Sequence, residues 1–217
     1  INIEQTALDS TFTVLNDENV LGEVTVTSPG EHNIKNALAA VSVGLELGIS
    51  FENIKSGLQR FQGVFRRFQP KLNTDKLIVI DDYAHHPTEV KASIEGARNG
   101  WKERRLIAVF QPHLYSRTQQ MYREFGLSFF DAEVLVVTDV YPSREEPIEG
   151  VTGKLISDTA KEYGHRDVHY VEDKTKLPEK LNEIVEDGDI VITMGAGDIY
   201  KYGEQFVEMV QPKKKDN

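Results

Sequence analysis

The 217-residue sequence contains no cysteine. Disulfides and thiolate metal sites are therefore excluded, and a reducing compartment is compatible with the chain. It has no run of apolar residues long enough to cross a bilayer and no basic-plus-apolar secretory start, so no membrane association and a cytoplasmic address are expected. Positive charge is in deficit, with 25 Lys and Arg against 35 Asp and Glu, for a formal net charge of −10. That balance argues against nucleic acid as a partner, because a duplex needs a broad basic face. Only the end, PKKKDN from Pro212, is locally basic, and it reads as a solvated tail. The sequence opens on Ile1 without an initiator Met, so a piece of something longer is expected. With 39% apolar and 28% charged residues it has a globular composition, and its length suits one complete domain plus part of another.

What is present is a change of rhythm. Strand formers over Thr11–Leu15 and Val20–Thr27 flank the turn Asn16–Asn19 and predict a β-hairpin. Ser28-Pro29-Gly30 breaks the second strand. Helices are predicted over Glu31–Leu47, closed by Gly48, and over Phe51–Phe61. Gln62–Arg67 (QGVFRR) has no clear period, and the expected domains are 1–66 and 67–217. Beyond it, strands are predicted at Phe68–Leu72, Lys76–Asp81, Arg105–Phe110, Glu133–Thr138, Asp167–Val171 and Asp189–Met194. Helices are predicted at Pro87–Arg98, Thr118–Phe130, Val151–Tyr163, Lys174–Glu186 and Asp198–Val210. Such alternation implies right-handed crossovers and a doubly wound, mostly parallel α/β sheet, Rossmann-like in type.

Ligands collect at the carboxyl ends of parallel strands, where the following helix offers free N–H groups and a positive dipole end. Four loops share that position: DDYAHHP at Asp81, QPHLYSRT at Gln111, DVYPSREEP at Asp139 and GAGD at Gly195. The first crowds Asp81, Asp82, Tyr83, His85 and His86 at one strand end; taken singly, each would pass for a solvated or capping residue. The second sets His113 and Arg117 beside hydroxyls just before a helix. An arginine fork there suits a carboxylate or phosphate, although a Ser or Thr cap with an exposed arginine is the plainer alternative.

Other readings fail on spacing. His85-His86 lacks a metal-ligand pattern, and no G-x-S-x-G elbow occurs. GAGD is too short for a dinucleotide fingerprint, and Gly150–Leu155 (GVTGKL) has the wrong spacing for a phosphate loop. Triphosphate chemistry would have to borrow its phosphate loop from elsewhere. Near the start, GEHNIKNALAA puts His32, Asn33 and Asn36 within one helical turn, where two amides could read a purine edge or simply cap and pack.

GEHNIKNALAA, FQGVFRRF, DDYAHHPTE, FQPHLYSRT, DVYPSREEP and GAGDI occur in an order and spacing that resembles the Mur ligases over essentially the whole chain. The resemblance is closest to the branch that joins L-alanine to UDP-N-acetylmuramate. It implies that residues 1–66 end an ATP-binding central domain and that 67–217 form the C-terminal domain. It also implies ATP and Mg2+ as cofactors, an acyl phosphate intermediate, and a role in peptidoglycan synthesis. Carried over by motif, His32, Asn33 and Asn36 resemble adenine contacts, Arg67 the linker arginine that reaches the ATP phosphates, and Asp82 a ribose acceptor. His85 and Arg117 resemble the groups that position L-alanine, with Tyr83, His86, His113 and Asp198 lining the same pocket. One departure stands out: many relatives have a second arginine where this chain has Leu114. The alternatives are a recycling ligase that attaches a preformed tripeptide, and a non-catalytic nucleotide or amino-acid binding module.

Overall fold

The computed structural model describes residues 2–6, 9–27, 31–61 and 63–211, without the side chains of Gln5 and His32. The predicted break at Ser28–Gly30, Gln62 and the PKKKDN tail lie outside the described residues. The chain divides into two compact units, residues 1–64 with 99–101 and residues 65–98 with 102–217.

The first unit contains strands β1 (Glu4–Gln5), β2 (Ser10–Asn16) and β3 (Asn19–Val26) in one antiparallel sheet. Along the hairpin, Phe12, Val14, Val24 and Val26 point to one face, as the period of two requires. They bury against Ile34, Ala37 and Val41 of α1 (Glu31–Glu46) and Ile54 of α2 (Phe51–Arg60). Strand β1 is too short to leave a periodic signal in the sequence.

The second unit is built on a six-stranded sheet. Strand β4 (Gln69–Asn73) runs antiparallel to β5 (Leu77–Asp82), and β6 (Leu106–Phe110), β7 (Val134–Thr138), β8 (Val168–Val171) and β9 (Asp189–Met194) are parallel to β5 in the order β4-β5-β9-β6-β7-β8. The helices are α3 (Pro87–Gly100), α4 (Tyr115–Gly126), α5 (Gly153–Glu162), α6 (Leu177–Ile184) and α7 (Ile199–Val210). The unit is doubly wound and mostly parallel. Strands β5, β6, β7 and β9 are buried along their whole length, as a sheet covered on both faces demands. Val79, Val109, Val136 and Val191 pack toward Leu177 and Leu181 of α6 and Phe206 of α7. Phe110 belongs to the opposite layer, its ring 4.9 Å from Phe125 and 5.4 Å from Phe129.

Two predicted helices are displaced. Helix α4 starts at Tyr115, not Thr118, and ends at Gly126. The last turn expected for it is taken up by tight turns through Phe129 and Ala132. Helix α6 begins at Leu177, after a 3-10 turn over Lys174–Lys176 whose Asp173 cap accepts from Thr175 N. Because β9 lies between β5 and β6, the chain must skip a strand after β5. The skip opens a crevice at the carboxyl edge.

Candidate active site

Hydrogen bonds sew the rim loops of the second unit together. Gly195 N donates to Asp82 O (3.2 Å), Gln111 N to Met194 O (3.0 Å), Leu114 N to Tyr141 O (3.0 Å) and Tyr141 N to Pro112 O (2.8 Å). The buried Gln111 amide reaches across as well, donating to Asp198 Oδ1 (2.9 Å) and accepting from Ile199 N (3.1 Å). Segments far apart in sequence thus form one ledge.

On that ledge a row of rings runs from Tyr83 to His85 (5.2 Å between centroids), to His113 (6.1 Å) and to Tyr141 (5.7 Å, stacked). Burial, then the positive charges of Arg117 and His85, hold the His113 imidazole below the usual range, and Glu145 pulls weakly the other way. Arg117 Nη1 and His113 Nδ1 are both buried and have no hydrogen-bond partner among the described residues. Two neighbouring polar nitrogens left unpaired call for a group that accepts from them, and a carboxylate matches the guanidinium best.

The start of α4 does not provide that carboxylate site. Its Ser116 N–H and hydroxyl both donate to Glu145 of the DVYPSREEP loop, the former at 2.9 Å. The N-cap residue, Leu114, has φ 73 and ψ 132 and makes no side-chain cap bond. The helix end is therefore capped by a carboxylate of the chain itself, and Arg117 is left for an outside one.

The remaining sequence-derived candidates fall in several places. Asp82 is turned into the fold, accepting from Ala84 N (2.7 Å) and Phe68 N (2.9 Å), and burial pushes its carboxyl up despite those bonds. In this structure it shapes the DDYAHHP loop. His86 pairs with Thr88 Oγ1 (2.6 Å) at the start of α3. Asp198 receives Lys174 Nζ on both oxygens at 2.8 Å; burial opposes ionisation, but Lys174 and Gln111 hold its carboxyl below the ordinary value. Arg67 is exposed, with its guanidinium 5.5 Å from the Tyr83 centroid. Asn33 and Asn36 lie on α1 of the first unit, and the His32 side chain is outside the described residues.

Several residues at the rim escaped the sequence reading. Arg66 is 6% exposed and donates to Asp81 Oδ2 (3.0 Å), Gly197 O (2.9 Å) and Gly195 O (2.5 Å), with the Tyr200 ring 4.5 Å away. Lys174 opens the 3-10 turn that stands where a helix start is predicted, and Glu145 lies in a loop with no periodic signal. Glu89 was findable, because it follows His85 by four residues at a helix start. Among the described residues no group of three or more His, Asp or Glu could hold a metal ion. Nor is any helix there long and apolar enough to cross a membrane.

Comparison with known proteins adds to this geometry. Residues 66–197 match the family described as Mur ligase, glutamate ligase domain. UDP-N-acetylmuramate--L-alanine ligase of Salinibacter ruber is 50% identical over 210 residues, covering 97% of this chain and 44% of that protein. The enzyme of the same name from Geotalea daltonii is 49% identical over 191 residues, 88% of this chain and 42% of its own. The crystal structure of UDP-N-acetylmuramate-alanine ligase from Thermotoga maritima superposes with a TM-score of 0.78 at 28% identity, over 95% of this chain and 45% of that one. The chain thus spans less than half the length of these relatives.

Proposed function

Since the chain belongs to the Mur ligase family, we propose that it is the acceptor-binding part of an ATP-dependent ligase that joins L-alanine to UDP-N-acetylmuramate in cytoplasmic peptidoglycan synthesis. On this reading residues 1–66 end the ATP-binding domain and 67–217 form the domain that holds the amino acid. ATP phosphorylates the sugar nucleotide's carboxylate, and the amine of L-alanine attacks the resulting acyl phosphate. Arg117 and His113 take the amino-acid carboxylate, His85 faces the amine, and Tyr83 and Tyr141 wall the pocket. Asp198, held by Lys174 and Gln111, keeps the glycine loop in register. His32, Asn33 and Asn36 serve the adenine, and Arg67 the phosphates. Mg2+ would neutralise charge on the ATP phosphates, and among the described residues no group of three or more His, Asp or Glu would hold it. The protein contributes alignment and charge stabilisation.

The observation that carries this reading is the unpaired, buried Arg117 Nη1 beside His113 Nδ1. The test is steady-state kinetics of the full-length protein bearing this sequence. Arg117→Ala should raise the KM for L-alanine about 10- to 100-fold, as loss of a charged hydrogen bond of about 1.5–3 kcal/mol requires, and leave the KM for ATP within about twofold. Equal changes in both would remove Arg117 from the carboxylate. An acceptor panel of L-alanine, glycine, L-serine and tripeptide completes the test, and turnover with tripeptide alone would reject the alanine assignment.

A further inference from the structure

We propose that His85 is the base that accepts a proton from the incoming ammonium at Nε2, with Glu89 and the Tyr83 carbonyl as the groups that hold its Nδ1 protonated; this rests on the ligase reading above. Nδ1 lies 2.9 Å from Tyr83 O and 3.3 Å from Glu89 Oε2. A backbone carbonyl only accepts, as does an ionised carboxylate, so the proton of a neutral ring sits on Nδ1 and the lone pair is left at Nε2. Burial works against the Glu89 charge, but the His85 and His86 N–H groups (3.0 and 3.3 Å), with the His85 and Arg67 charges, hold its carboxyl below the ordinary value. The carboxylate is therefore ionised near neutrality, and one of its oxygens fixes both the backbone and the ring of His85.

The groups facing the His85 ring are Glu89 from α3, Tyr83 with Arg67 over it, and His113 across the cleft, which brings Arg117 and Glu145 near. His113 is the rival base, but burial, then the charges of Arg117 and His85, disfavour the imidazolium it would become on taking the proton. An amino acid with its carboxylate on Arg117 brings its nitrogen to the His85 side of the pocket. The ammonium carries three N–H bonds and the product amide one. The first proton passes to Nε2, and the freed lone pair forms the C–N bond at the acyl phosphate carbon. The C–O bond then breaks, phosphate leaves with that electron pair, and it takes the second proton from the tetrahedral nitrogen.

The experiment is the pH profile of kcat/KM for L-alanine in the full-length enzyme at saturating ATP and sugar nucleotide. The wild type should climb with pH and then level off. His85→Asn and His85→Gln should fall about 10^2- to 10^4-fold at neutral pH and keep climbing toward the free amine's own, higher value, because only amine already deprotonated in solution then reacts. Glu89→Gln keeps an acceptor for the two backbone N–H groups but removes the charge that favours imidazolium, so its rising limb should move to lower pH. A purely structural role would lower the whole curve without changing its shape. His85 variants that level off where the wild type does, or a Glu89→Gln limb that stays in place, would overturn the proposal and leave the ligase reading standing. A wild type that makes no amide with any amino acid would remove both.

Discussion

At the scale of single residues, two adjacent pairs decide how the rim is held. Arg66 and Arg67 are chemically alike, yet Arg66 has φ 59 and its side chain is driven inward to Asp81 and two glycine carbonyls, while Arg67 stays exposed. Asp81 takes Arg66 and Thr193 Oγ1 (2.8 Å), whereas Asp82 takes backbone N–H groups. Burial pushes the Asp81 carboxyl up, with the charge and hydrogen bonds of Arg66 and Thr193 drawing it back. Removing one partner of a buried pair strands the other, so Arg66→Met should cost about 3–5 kcal/mol in urea unfolding at neutral pH. The sign with pH follows from linkage. An acid whose folded pKa lies above its unfolded value contributes stability below the unfolded value and loses it as pH rises through the folded one. Without Arg66 the Asp81 value rises further, so the deficit of Arg66→Met should shrink as pH falls through the acid range and Asp81 takes up a proton, losing its charge. A deficit independent of pH would mean that Asp81 is not the stranded group. The crowding of Asp81 and Asp82 at a strand end is legible in the sequence, but which arginine of the Arg66–Arg67 pair turns in to meet them is not, because that depends on a backbone dihedral at Arg66 with no compositional signature.

At the scale of elements, α4 shows how a boundary can be set from afar. Its N-cap position holds Leu114 in a backbone region that L side chains rarely occupy, locked by its N–H on Tyr141 O and its carbonyl under Thr118 N (3.1 Å) and Oγ1 (2.8 Å). Glycine meets no such penalty. Leu114→Gly should therefore be more stable than Leu114→Ala by about 1 kcal/mol in denaturant unfolding, both lacking the leucine side chain. Equal stabilities would mean that the backbone there carries no strain. This also accounts for the misplaced start of α4. A helix normally announces itself by a Ser, Thr, Asp or Asn cap, and here the capping carboxylate comes from Glu145, in a loop beyond the next strand. The apolar runs of β5, β6, β7 and β9 were legible because complete burial writes itself as unbroken Val, Ile and Leu. Caps delivered across loops leave no such mark.

At the scale of the whole molecule, the question is whether this chain can carry out phosphoryl transfer unaided. The stretch closest to a phosphate loop, Gly150–Leu155, leads into α5, and the structure shows its anion position already taken. Gly153 N donates to Asp139 Oδ1 (2.8 Å), and the Lys154 ammonium is paired with Asp158 one turn on. A phosphate arriving there would have to displace a carboxylate and would meet no free lysine, and a further negative charge beside Asp139 is repelled. The relatives of the same family are more than twice as long as the segment matched, leaving ample chain elsewhere in them for a phosphate site. The purified 217-residue chain should accordingly release no phosphate from ATP above background in the presence of UDP-N-acetylmuramate and L-alanine, while still binding L-alanine in a manner that Arg117→Ala weakens, as read by calorimetric titration. Phosphate release by the chain alone, unaffected by changes at Gly153 and Lys154, would require a triphosphate site among residues given another part here, the exposed Arg67 first among them.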